Sequence, residues 1–410
     1  MRRSPVHALT TGLLVFAVAC TGGSRDHASG TTPTTRRPGL RGGTPRAAQP
    51  QTRADGHGGT YAVPLAIPSD CSKDVTATLQ SWIDGTPDNI TLSLRADRCY
   101  RIEGTIEIAR RRDLVLDGNG STLRAKTAGT GTRLQIRSRS QVSIMQSRNI
   151  TVRNLIVRGA NPHAGVGADA YQPAMEAQHA FSLHADTGVT LDRVQAYDVY
   201  GDFVYIGGAV GSPSRHVTVT HSEFARSGRQ GISMTNAEDV RIASNQIGFV
   251  SRSLFDLEPN LRADEVRHVV IEGNASGPVH NYWFADKGSG INISDITVMR
   301  NVMRAPSGGL VIVHGPKFGK RGPFSFVANE LVTSGTVTDA HATGALLFAY
   351  ASRVTVRGNR IAVAPAQRLA AVEIRTSANV RIVDNQLAGV VQPVVVDSAS
   401  TNVDATHAVG

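Results

Sequence analysis

From about residue 113 the chain repeats one short phrase: an apolar residue, a spacer, a second apolar residue, two more positions and then, in most copies, asparagine. It reads Val240-Arg-Ile242-Ala-Ser-Asn245, Val269-Val-Ile271-Glu-Gly-Asn274 and Ile296-Thr-Val298-Met-Arg-Asn301, and recurs from Phe324 to Asn329, Val354 to Asn359 and Val380 to Asn385. Earlier copies begin at Leu114, Ile150, Val189 and Val217 and end at Asn119, Leu155, Val194 and Ser222. Alternation with period two marks strands, because successive side chains of a strand point to opposite faces. The anchors fall 23 to 39 residues apart. A unit of that size with no amphipathic helix is too short for a four-stranded propeller blade, and it lacks the helix of leucine-rich or ankyrin repeats. It fits one turn of a parallel β-helix, in which alternate residues fill a narrow core and each coil hydrogen-bonds to the next. The expected fold is all-β, a single-stranded parallel β-helix solenoid of about ten or more coils, with nine steps of ~4.8 Å giving a rod of roughly 43 Å.

Asparagines at one register in successive coils predict a ladder of stacked amides that satisfies turn backbone groups. Ahead of the repeats, the stretch from Asp74 to Ile83 joins an N-cap residue to helical spacing of Val75, Leu79, Trp82 and Ile83. It predicts a short helix capping the N-terminal end, where a bare strand edge would otherwise invite pairing with other chains.

The pattern resembles the right-handed parallel β-helix proteins of the pectin-lyase-like superfamily over about residues 70–400. The resemblance implies the handedness, which the repeat alone does not supply. It also brings in a segment, Gly201-Asp202-Phe-Val-Tyr205-Ile-Gly207, similar to the Gly-Asp-Asp of polygalacturonases, followed by Arg229-Gln230-Gly231 at the place of their Gly-His-Gly. One aspartate stands for two and glutamine for histidine, so polygalacturonase activity is not carried over.

Composition agrees with thin strands and many turns: 40% of residues are hydrophobic, only 5% are aromatic and 41 are glycine, which excludes wholesale disorder. The net charge of +10 points to a polyanion until it is divided along the chain. Residues 1–60 hold eight arginines and two aspartates, so the remainder carries only +4 and the main support for a nucleic-acid partner disappears.

Arg2 and Arg3, an apolar stretch from Ala8 to Ala19 and then Ala17-Val18-Ala19-Cys20 read as a signal peptide (1–19). The small residues before Cys20 resemble the lipobox of bacterial lipoproteins, which would make Cys20 the lipidated residue and tether the protein at the outer face of the cell membrane; secretion after an ordinary signal peptide is the alternative. Residues 20–60 are then a linker, since 23 of the 40 residues after Cys20 are Gly, Pro, Ser or Thr, and 61–410 are the solenoid domain. With Cys20 lipidated, Cys71 and Cys99 remain as an even pair in an oxidising compartment, and a disulfide is expected.

Candidate chemistry sits where polar residues interrupt the apolar pattern of the central coils. Asp256 and Glu258 flank an apolar Leu257, so both carboxylates are expected on the solvent face of one strand. Such a pair suits the acid and the base or nucleophile of a glycosidase, with Asp202 as a further catalytic candidate and Asp286 as an aid. It could instead hold Ca²⁺, as in β-helix polysaccharide lyases, or be two solvated acids paired with Arg229 and Arg252. His184, Tyr205, Arg229, Gln230, Arg252, Asn260, Asp286 and Lys287 are the substrate-binding candidates, with His179 beside them, because residues ~25 to 30 apart stack vertically in a solenoid. Tyr282, Trp283 and Phe203 are candidates either for stacking on sugar rings or for the core. The expected function is an extracellular polysaccharide-active enzyme, a monomer, with a lyase or a non-catalytic glycan-binding or envelope-scaffold protein as rivals.

Overall fold

The computed structural model describes residues 58–127, 140–290, 292–305, 309–315, 320–333 and 343–408. Their strands form three parallel sheets that the chain visits in rotation. The first sheet has 14 strands, running from Thr60–Ala62 to Thr401–Asp404; the second has 12, from Asp70–Asp74 to Gln386–Ala388; the third has 11, from Ile106–Ala109 to Gln392–Val396. This is a parallel β-helix solenoid.

A single coil shows why the sequence folds so. Val240 and Ile242 of the first sheet, Ile247 and Val250 of the second, and Phe255 and Leu257 of the third are each at most 2% exposed. Alternation thus sends about six large apolar side chains per coil inward, each worth ~1.5–3 kcal/mol of burial against the entropy of ordering the chain.

The amide ladder runs along the corner between the first and second sheets. Each side-chain nitrogen donates to the next carbonyl, from Asn245 to Asn274 (2.9 Å), Asn301 (2.9 Å), Asn329 (3.0 Å), Asn359 (2.9 Å) and Asn385 (3.0 Å). Ser222 continues it upward, its hydroxyl accepting from the Val194 amide. Asn119, an anchor of the repeated phrase, lies outside it. Its coil carries two extra residues, so Ser121 takes the register position, and Asn119 donates to Ser93 Oγ and the Leu94 carbonyl.

The capping helix spans Thr76–Asp84, with Leu79 and Ile83 buried. Its cap residue is Val75, one place later than expected, yet Asp74 still serves the end by accepting from the Thr76 amide (3.0 Å) and hydroxyl (2.6 Å). Cys71 and Cys99 are bonded, Cα atoms 5.1 Å apart, tying the first two strands of the second sheet. The leader, Cys20 and nearly all of the linker lie outside the described residues. At the linker's end the Gly58 amide already donates to the Asn89 carbonyl, and Thr60 pairs with Thr91. Among the described residues no helix is long and apolar enough to cross a membrane.

Candidate active site on the third sheet

Strand register fixes what the outer face of the third sheet displays. One outward column runs Ser143, Ser182, Tyr205, Ser233, Asp256 and then turns apolar at Ala285, Ile312 and Leu347. Polarity gathers in the earlier coils of this face, with Asp256 its last member before the apolar patch; beyond the patch the column returns to a carboxylate at Glu373, which pairs with Arg375.

The centre of the cluster is Arg229, at the corner where the chain enters strand Ile232–Met234. Its Nη1 reaches both Asp202 oxygens (2.9 and 3.1 Å), its Nη2 reaches Glu258 (2.9 Å), and its Nε lies 3.6 Å from Glu176. The guanidinium therefore stands where the Ca²⁺ of the alternative reading would have to sit, so these residues do not fit a calcium ion. Neighbouring carboxylates hold its proton even more firmly than in water.

Asp202 is sealed. It is 0% exposed, and its oxygens also accept from the Gln230 amide (2.9 Å) and the Ser233 hydroxyl (2.5 Å). Its carboxylate is taken up by Arg229, Gln230 and Ser233, which suits it to positioning Arg229 and leaves no face open for the catalytic role for which the sequence made it a candidate. Its own amide donates to His179 Nδ1 at 3.0 Å, so that nitrogen carries no hydrogen, and its 3.4 Å approach to Asp202 Oδ2 is a contact without a proton. Burial disfavours the charged ring, leaving a neutral His179 with its hydrogen on Nε2. The ring stacks on Tyr205 at 4.9 Å. Tyr205 folds over Gly207, where a Cβ would come within 2.6 Å of the ring, and its hydroxyl meets Thr235 Oγ1 at 2.9 Å.

Asp256 and Glu258 lie either side of the buried Leu257, as expected, but they are not equally wet. Asp256 is 5% exposed, whereas the Glu258 side chain is 31% exposed. Burial first, and then the charge of Glu258, push the Asp256 carboxyl far above the usual carboxylate range, while Arg229 acts the other way. Gln230 fixes the carboxyl's orientation: its Nε2 donates to Asp256 Oδ2, and its own Oε1 is held by the Ser253 amide (2.6 Å). The result is a dry acid biased towards its protonated form, next to an ion-paired, water-accessible carboxylate.

Arg252 does not pair with these acids; its guanidinium stacks 4.6 Å above the Tyr171 ring. Tyr171 belongs to an insertion spanning residues 159–178 and donates to Glu176 (2.7 Å), so this loop walls the Arg229 side of the cluster. Glu176 was missed in the sequence because it lies on no strand. The signal was the spacing of 39 residues between Leu155 and Val194, the longest in the series, which marks an inserted loop.

The other candidates scatter. His184 shares the outer face one rung from Gly207, half-buried and biased towards the neutral form by burial. Asn260 is exposed in the loop after the strand, bonded through its backbone to Asp264 and Ser289. Lys287 is exposed, 5.8 Å from the Tyr282 ring. Asp286 is no groove residue: it pairs in register with Leu257, points inward at 0% exposure and forms an ion pair with the equally buried Arg321. Trp283 and Phe203 are core residues; Trp283 packs edge-on against Phe255 and donates to Ser276 Oγ. Tyr282 belongs to the outer apolar patch with Ala285, Ile312, Leu347 and Ala349.

No protein-family model and no curated protein sequence matches the chain. Solved structures do. DFA-IIIase from Arthrobacter chlorophenolicus A6 in complex with GF2 superposes with a TM-score of 0.61 at 13% identity, covering 83% of this chain and 92% of that one. A point mutant of the same enzyme in complex with DFA-III gives 0.57 at 12% identity, over 84% and 87% of the two chains. The Streptococcus pneumoniae surface protein and adhesin PfbA gives 0.54 at 13% identity, over 83% and 99%. The likeness establishes a shared parallel β-helix architecture.

Proposed function

We propose that the protein is an extracellular carbohydrate-active enzyme that hydrolyses a glycosidic bond on the outer face of the third sheet. Asp256 is the general acid and Glu258 the base or nucleophile. The observation that carries the reading is the unequal treatment of two carboxyls one residue apart. Burial favours the proton on Asp256 where a leaving oxygen needs it, and Arg229 pairs with Glu258, whose side chain stays open to water or to a sugar ring. Gln230 orients the acid, Asp202 orients Arg229, and the Tyr205–His179 stack and Arg252 flank the face on which the sugar would rest. The enzyme works outside the cell membrane, tethered through Cys20; the Cys71–Cys99 bridge suits that oxidising compartment.

The test is product release by the purified protein from a panel of neutral and uronate polysaccharides together with GF2 and DFA-III. New reducing ends without an unsaturated, ultraviolet-absorbing product are expected, with Asp256→Asn and Glu258→Gln each lowering the rate at least a hundredfold. An unsaturated product would make the protein a lyase. Saturable binding with no product would make it a binding protein, in line with the adhesin among its structural neighbours. A cleaved glycan with both variants fully active would remove this site.

A further inference from the structure

A second cluster lies on the first sheet, away from the strands that carry Asp256 and Glu258. In four successive coils one residue inside the first-sheet strand, skipped by the pairing register, adopts a left-handed conformation: His216 (φ 54°), Asp239 (φ 54°), His268 (φ 53°) and Asp295 (φ 55°). Stacking at the strand repeat turns these into an alternating histidine–aspartate column. Asp239 is contacted on both oxygens, by His216 Nδ1 at 3.2 Å and by His268 Nδ1 at 3.1 Å. His268 is contacted on both nitrogens, since its Nε2 also lies 3.3 Å from Asp295. All four side chains are at least 38% exposed, so the column is open to solutes.

That geometry asks for a cation. A neutral imidazole has one N–H and one lone pair, so it can donate to only one of two flanking carboxylates. At the other, lone pair faces lone pair, unless a proton or a metal ion stands between. A donor set is already gathered there: ligand atoms of Glu238, Asp239 and His268 all lie within 4.8 Å of one another. Tetrahedral bonds of ~2.0–2.2 Å to one ion place donor atoms ~3.4 Å apart, so the widest separation would have to close by about 1 Å or more, a movement that side chains on the surface can make by rotation. Glu238 is steadied by Arg215 (2.8 Å) and Arg267 (2.7 Å), Arg267 also lying 3.4 Å from Glu265, so the acids outnumber the guanidiniums around the column.

We propose that Glu238, Asp239 and His268 form a surface site for one divalent transition-metal ion, with His216 as a neighbouring donor. Imidazole with carboxylates selects ions of the zinc, nickel and copper group over calcium or magnesium.

The experiment is calorimetric titration of the purified full chain with ZnCl2 and NiCl2 at pH 7.5, alongside Asp239→Asn, His268→Asn and His314→Asn. Asparagine tolerates the left-handed backbone at 239 and 268, so these variants keep the fold, which an unchanged melting curve confirms. Wild type is expected to take up one ion per chain at that site with micromolar affinity. Asp239→Asn and His268→Asn should each weaken it at least tenfold, and His314→Asn, on the third sheet, should leave it unchanged. Three results would each overturn the site: no uptake by wild type, full affinity in both column variants, or equal loss in His314→Asn.

Discussion

Replacing Arg229 with methionine keeps most of the side chain's volume but withdraws the cation shared by Asp202, Glu258 and Glu176. The three contacts are not equal. Asp202 is 0% exposed and receives Nη1 on both oxygens, so its carboxylate would be left buried without its counter-charge. Breaking such a pair costs ~3–5 kcal/mol. Glu258 and Glu176, with side chains 31% and 48% exposed, can turn to water and add little. The comparison needs one fixed pH, because wild type itself loses stability as pH rises: burial lifts Asp186 and Asp286 to about 7 and Asp256 well above the usual carboxylate range, so the folded chain holds protons that the unfolded chain has already released. Urea unfolding of both proteins followed by circular dichroism at pH 7.5, with unchanged slopes, measures the deficit. A deficit under ~1 kcal/mol would refute the claim that Arg229 neutralises a buried acid.

Two further expectations concern the scaffold. Asn301→Ala removes an oxygen that accepts from the Asn274 amide and side chain, and a nitrogen that donates to Asn329 and the Ile271 carbonyl, at a combined cost of ~3–5 kcal/mol. Hydrogen exchange should quicken around 271–276 and 298–304, whereas Asn119→Ala, off the ladder, should cost about 1 kcal/mol; equal effects would sink the ladder's role. Arg321→Met strands the buried Asp286 and two glycine carbonyls, for a loss of ~3–5 kcal/mol in urea unfolding. Adding Asp286→Leu, which matches Leu257 at the same register, should restore most of it, and a double variant no more stable than the single would show that the pair is not the cause.

These expectations divide along what a sequence can carry. The solenoid was legible because its determinants are local and restated in every coil: an apolar pair two residues apart, then an amide. Asn119 misled because two inserted residues moved its register while leaving the phrase intact. The contrast between Asp256 and Asp286 is sharper. Both sit in apolar surroundings on the third sheet, and in Tyr282-Trp-Phe-Ala-Asp286 every residue is buried, so alternation gives no parity to read. Pairing of Asp256 with Ala285 sends Asp256 outward, and the neighbouring pair, Leu257 with Asp286, sends Asp286 into the core. A step of one residue reverses the face. What then makes either carboxyl tolerable comes from other coils: Gln230 and Arg229 from the one before Asp256, and Arg321 from 35 residues beyond Asp286. A repeat announces which residues stack. The proton on Asp256 depends on how dry the stacked position is and on which charge stands opposite, and both are set by single side chains that the repeat leaves free to vary.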